Sequence, residues 1–246
     1  MQPQHLANAP ILEALVDLRV RPRVDLDVHS LGEVLGLRER YPICEQMKAI
    51  QFQVKHESNA PPVQSATDLG TVGFRYSSPS DTCQAQCRKD GFTFNMLKPY
   101  SGWPNLRRLS MEAWAAYLGV ARPEEVTRIA LRYINKAPIA ETTFDLGGIL
   151  RGNLDPFPGL QLEFGGLGYR ALLRDIASDN RAVVQVTLEE EPSALGHTLA
   201  LDIDVSRLGS FSLTGQSIPD VLESLREFKN RLFFEMITDN FAKRFL

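Results

Sequence analysis

Cysteine is scarce: Cys44, Cys83 and Cys87 are the only three in 246 residues. A small, odd number excludes a disulfide framework and fits reduced thiols in a cytosol. No stretch approaches the ~18 apolar residues that a membrane helix needs. The opening MQPQHLANAPILEAL lacks the basic start and apolar run of a secretory leader. A cytoplasmic protein with no membrane segment is expected. An excess of one charge is missing too. Lys and Arg number 27 against 30 Asp and Glu, a net charge of −3. That excludes a strongly basic nucleic-acid binder, although a local basic patch stays open. The chain also has no G-x-S-x-G elbow, no H-E-x-x-H and no G-x-x-x-x-G-K-[ST] phosphate loop. No catalytic residue and no cofactor is therefore assigned.

What is present is pattern. Ile11–Arg21 alternates with period two, the mark of a strand with two unlike faces. Leu12, Ala14, Val16, Leu18 and Val20 share the face expected inward. Ile11, Glu13, Leu15, Asp17, Arg19 and Arg21 share the other. A short helix is expected near 28–41, stopped by Pro42. A strand over 48–56 would turn Ile50, Phe52 and Val54 inward. The stretch ESNAPPVQSATDLG reads as a loop, then Val72, Phe74 and Tyr76 alternate again.

TCQAQCRKDGFTFNML reads as a hairpin turning at Asp90-Gly91, with Phe92, Phe94 and Met96 on one face. A helix is expected over 105–119, capped by Asn105 and ended by Gly119. Its apolar stripe is Leu109, Ala113, Ala116 and Tyr117. EVTRIALRYINKA reads as a strand that puts Ile129, Leu131 and Tyr133 opposite Arg128, Ala130, Arg132 and Ile134. AVVQVTLEE and HTLALDIDVSR read as further strands. From Ser217 to about Arg244 a long helix is expected, roughly 40 Å at 1.5 Å per residue. A capping box of Ser217 and Asp220 would open it. Its stripe is Val221, Leu222, Leu225, Phe228, Leu232 and Met236, with Phe233 and Ile237.

Helices follow groups of strands rather than every strand. This favours an α+β fold, a curved antiparallel sheet with helices on one face and a long C-terminal helix. Two strand–helix–strands–helix halves are expected, divided by the Gly/Pro-rich middle into 1–140 and 141–246.

NAPILEALVDLRV, LKPYSGWPNL, RIALRYINKAPI, LALDIDV and LREFKNRLFFEMITD occur in that order. Together they resemble a sporadically distributed family of uncharacterised bacterial proteins of about this length. The resemblance implies one shared architecture in bacteria and transfers no reaction and no site residue. Patchy occurrence is typical of accessory or defence-linked genes.

Arginine is the recurrent theme among candidate sites. Arg19, Arg21 and Arg132, if their strands adjoin, form a stripe able to grip phosphate through planar donor forks. Arg23, Arg107, Arg108 and Arg128 extend the theme. Tyr100 and Trp103 in PYSGW could stack bases. The bland alternative is that the arginines pair with acids across strands and the aromatics pack a corner. Asp202 and Asp204 stand about 7 Å apart on one strand face and are the weaker, metal-binding alternative. Glu13 and Asp17, and likewise Cys83 and Cys87, stand about 13 Å apart, too far to share a metal ion. GGLGYR over 165–170 reads as a loop, and Asn135 as a turn amide closing its strand. The first functional expectation is a non-enzymatic binding or regulatory protein. It would hold a protein partner through a sheet face or the long helix, and homodimerise. The rival is a nucleic-acid or nucleotide binder, or a metal-dependent nuclease, built on the arginine face.

Overall fold

Ile11–Arg21 forms β1, and its alternation sets the two faces of the whole sheet. Ala14, Val16, Leu18 and Val20 are buried on one side. The computed structural model describes residues 6–55, 63–80, 82–139, 146–152, 166–190 and 196–246; of these, the side chains of 52–55, 63–65 and 190 are not described. After β1 come a 3-10 turn at Val28–Gly32 and a short helix α1, Leu35–Arg40. Then follow β2 (Ile43–Lys55), β3 (Val63–Ser77), β4 (Cys83–Arg88), β5 (Gly91–Leu97) and α2 (Trp103–Ala121). The second run is β6 (Glu125–Ile139), the one-turn α3 (Leu146–Ile149), β7 (Gly166–Arg174), β8 (Arg181–Glu190), β9 (His197–Phe211), α4 (Ser217–Met236) and the short α5 (Asp239–Ala242).

The nine strands make one curved antiparallel sheet in the order β2-β3-β4-β5-β1-β6-β9-β8-β7. The order follows a like plan on either side of its centre, five strands on one and four on the other. In each half the first strand pairs with the last, β1 with β5 and β6 with β9, and the remaining strands run outward. The two first strands, β1 and β6, pair with each other at the centre. Each half then ends in a long helix. α2 lies against β5 and β1, and α4 against β9 and β6, on one face of the sheet. The expected α+β architecture is what the chain adopts.

The core lies between that face and the helices. Register places Val16 opposite both Phe94 and Leu131, and Leu131 opposite Val205. All four are fully buried. Under α2 an aromatic group fills the space. Trp114 stacks on Tyr117 at 5.3 Å between ring centroids, and Phe92 tilts against both. Tyr76 ties α1 to β3: its hydroxyl donates to the Leu31 carbonyl and accepts from the Val34 amide.

Several local expectations differ from the structure. Leu12 is exposed: the ladder to β6 slips beside it, and it lines a cavity instead of the core. Ile50 is also exposed, because register shifts between Met47 and Ile50 break the alternation counted through it. The side chains of Phe52 and Val54, and the loop residues 57–62, lie outside what is described; the remainder of that expected loop belongs to β3. The hairpin turns on Lys89-Asp90, one residue early, since Gly91 already pairs with Arg88. Glycine is needed there for close approach: a Cβ on Gly91 would stand 2.7 Å from the Leu18 carbonyl oxygen. Gly73 is tighter still, 2.2 Å from the Cys87 carbonyl oxygen.

α2 starts at Trp103, with Pro104 in its first turn, and runs past Gly119 until Arg122, just before Pro123, takes a left-handed conformation. GGLGYR is not a loop, since Gly166–Arg170 opens β7. Asn135 lies inside β6 and donates to the Leu201 carbonyl at 3.1 Å. The long helix is shorter than expected. Gln216 caps α4 without a side-chain bond to the backbone, so the Ser217 capping box does not form. α4 ends at Met236 because Ile237 is extended and Thr238 caps α5, accepting from the Phe241 amide at 3.1 Å.

Candidate functional site

The arginines come first, on the sheet face opposite the long helices. Asp17 is the hub. Its Oδ2 accepts from Arg88 Nη2 at 2.9 Å and from Thr93 Oγ1 at 2.8 Å. Its Oδ1 accepts from Arg128 Nη1 at 3.0 Å, with Arg19 Nε at 3.3 Å. Arg128 reaches on to both oxygens of Asp204 at 3.1 Å. Arg132 grips Asp202 side-on, Nε to Oδ1 at 2.8 Å. Arg19 also meets Asp90 at 2.7 Å, Arg21 meets Glu125 at 2.6 Å, and Asn95 donates to Glu13. Strand pairing therefore brings Arg19 and Arg132 to one face, but interleaves them with carboxylates. Asp202 and Asp204 each face a guanidinium, and burial pushes the Asp204 carboxyl up against the pull of Arg128 and Arg132. No group of three or more metal-ligating side chains is found among the described residues. Cys83 and Cys87 lie on β4, Cys87 fully buried. Arg23 stands 3.8 Å from Asp25, Arg107 3.7 Å from Glu223, and Arg108 2.8 Å from Glu112.

Tyr100 and Trp103 sit elsewhere, at the corner between β5 and α2, on the wall of a cavity of about 1290 Å³. That exceeds the ~300–1,000 Å³ of ordinary small-molecule sites. The cavity opens between α4, this corner, the start of β1 and the end of β6. Trp103, Phe233 and Phe234 give it an apolar wall. Trp103 Nε1 donates to Glu223 Oε2 at 2.8 Å, and Arg226 Nη1 donates to the other oxygen at 2.6 Å. Glu223 is thereby occupied.

The polar centre is made by Tyr100, Tyr133 and Lys229. The two hydroxyls stand 2.8 Å apart and share one hydrogen bond. One O–H of the pair is thus left to donate elsewhere. Burial pushes Tyr100 up to about 12 and Tyr133 well above its ordinary value, so both are neutral donors at pH 7. Lys229 Nζ lies over the Tyr133 ring, 3.9 Å from its centroid, a cation–π contact. Among the described residues no carboxylate pairs with it. The residue keeps some exposure to the cavity while protein surrounds the amine. That burial, with Arg226 nearby, brings the Lys229 ammonium down to about 7.

Lys229, Tyr133 and Arg226 were not singled out from the sequence. One signal was available. Ile218, Leu222, Leu225, Lys229 and Phe233 recur at three- and four-residue steps along α4. Lys229 is the cation in an otherwise apolar stripe.

No family model matches the chain, and no curated protein does. Among solved structures the chain is similar to the di-domain ARO/CYC StfQ from the steffimycin biosynthetic pathway. The identity is 8%, over 95% of this chain and 97% of that one, with a TM-score of 0.16. A superposition of that quality carries no argument about fold or activity.

Proposed function

We propose that this chain is a binding protein whose site is the cavity beneath α4. Its ligand is an amphipathic small molecule. An apolar or aromatic body lies on Trp103, Phe233 and Phe234, and an oxygen-bearing head meets Lys229 and the tyrosine hydroxyl pair. The observation that carries this is Lys229, a cation in a roomy pocket that no carboxylate answers among the described residues. Buried charges are normally paired, and an anionic head would supply the missing partner. The arginine face supports the nucleic-acid reading less well, because its guanidiniums already meet carboxylates.

The test is titration with 1-anilinonaphthalene-8-sulfonate. Binding should quench the emission of Trp103, one of two tryptophans in the chain. Lys229→Met should weaken binding by about tenfold or more, the loss of one buried charge-assisted contact. No binding at high micromolar dye, or equal binding by the variant, removes the reading.

For a homodimer, the second reading, the support is the β7 edge. Tyr169, Leu172 and Leu173 are exposed along it. β7 has a neighbour on one side only in the sheet, and such an edge is a template for strand addition. A second copy adding its own β7 would double the mass seen by light scattering, and Leu172→Lys would restore the monomer. A monomer at every concentration removes this reading.

A further inference from the structure

We propose that Lys229 captures its ligand covalently, as an imine with an aldehyde or ketone carbonyl held in the cavity. The inference rests on the binding site proposed above and names the ligand class.

Three observations converge. First, Lys229 lines a cavity large enough to admit a carbonyl compound with an aromatic or acyl body. Second, among the described residues no carboxylate pairs with the amine to hold it as the ammonium; its contact is a ring face. Arg226, on the same helix face, adds a second positive charge that disfavours the ammonium form. Both devices, desolvation and a neighbouring cation, are how lysines are made nucleophilic. Third, the Tyr100–Tyr133 pair holds one unspent O–H beside the amine's ring contact. That hydroxyl can donate to the carbonyl oxygen during attack. The titratable groups that share the cavity with Lys229 are Arg226 from α4, Tyr133 and Lys136 from β6, Lys98 and Tyr100 from the corner before α2, and His197 from β9, with Glu223 turned to Trp103 and Arg226.

The steps balance. The Nζ lone pair attacks the carbonyl carbon, the C=O π bond becomes a hydroxyl, and a carbinolamine forms. Loss of that hydroxyl with the remaining nitrogen proton, as water, leaves the C=N bond. No oxidant or reductant is consumed.

The experiment uses the intact chain, 6-methoxy-2-naphthaldehyde as probe and cyanoborohydride to reduce the imine at pH 7. Mass spectrometry should show one adduct per chain, mapped to Lys229, formed at least about tenfold faster than at any other lysine. The expected margin follows from the larger neutral fraction of a lysine brought to about 7 compared with an ordinary one. 1-Anilinonaphthalene-8-sulfonate should slow the labelling. Adducts spread over surface lysines, with Lys229 not ahead, overturn the proposal. So does labelling at the wild-type rate in a folded Lys229→Met variant. If the dye still binds while labelling fails, the imine falls and the binding site stands. If the dye fails as well, both fall.

Discussion

Asp17→Ala is expected to destabilise the protein by about 3–5 kcal/mol, the cost of removing one partner from a buried charge cluster. The Asp17 side chain is 12% exposed, and its nearest partner Arg88 is 13% exposed. Three guanidiniums converge on it, from Arg19, Arg88 and Arg128. Arg19 keeps Asp90, and Arg128 keeps Asp204. Arg88 keeps only a 3.5 Å approach to Asp90 and neutral bonds to Gln86 and Thr93. Without Asp17 the cluster holds a surplus cation in a crowded place. Asp17→Asn keeps the shape and loses the charge, and should cost nearly as much. Denaturant unfolding checks this. The Asp17→Asn, Arg88→Gln pair should recover part of the loss, with a coupling energy of about 1–3 kcal/mol. Strict additivity would show that the hub has been misread. The double variant also tests whether this face is structural, since ligand binding beneath α4 should survive it.

Lys229→Met is expected to do the reverse and raise stability at neutral pH. An unfolded lysine titrates near 10.4, whereas burial brings the folded one to about 7. Below pH 7 both states carry the proton, and the folded state bears the full cost of a buried ammonium. Between about 7 and 10.4 the unfolded state binds more protons, so wild-type stability from this group rises with pH. Above 10.4 the cost is gone. The variant lacks this dependence. Its advantage should be largest at pH 7 and below, and fade towards pH 10. The full shift corresponds to about 5 kcal/mol at 1.36 kcal/mol per unit. Partial exposure and the lost cation–π contact reduce it to about 1–2 kcal/mol, roughly 2–8 °C in Tm for a chain of this size. Thermal melts of both proteins across that pH range decide it. A variant no more stable than wild type at pH 7 would mean that the amine is well solvated.

The fold was legible where one period ran unbroken. Apart from Leu12, Ile11–Arg21 and Glu125–Ala137 could be read directly, because half of each strand is buried and the alternation has a physical cause; β6 runs on through Asn135 to Ile139. The sequence failed where tertiary contacts override local signs. Gly91 looked like a turn residue but serves a close backbone approach. Ser217 looked like a cap, and Gln216 holds that position. GGLGYR over 165–170 reads as a loop by its glycines, yet from Gly166 on β8 gives it a partner. The arginine face was legible as a pattern, but which acid answers which arginine depends on the pairing of β1 with β6 and β6 with β9, and no single segment encodes that. Tyr100 and Trp103 were noticed for stacking. Their real company, Tyr133, Arg226 and Lys229, lies 30 to 130 positions further along the chain.

The like plan of the two halves carries a consequence in its asymmetry. Beneath the first long helix, Trp114, Tyr117 and Phe92 fill the space with interlocked rings. Beneath the second, Leu222, Leu225 and Phe228 are buried, but its later turns border a cavity with a lysine in the wall. A twinned architecture permits this because one twin alone can act as ballast. The filled half steadies a core that both halves share, so the other can keep a void that a molecule half the size could not. Substitutions under α2 should then be felt in folding, and those under α4 in what the molecule holds.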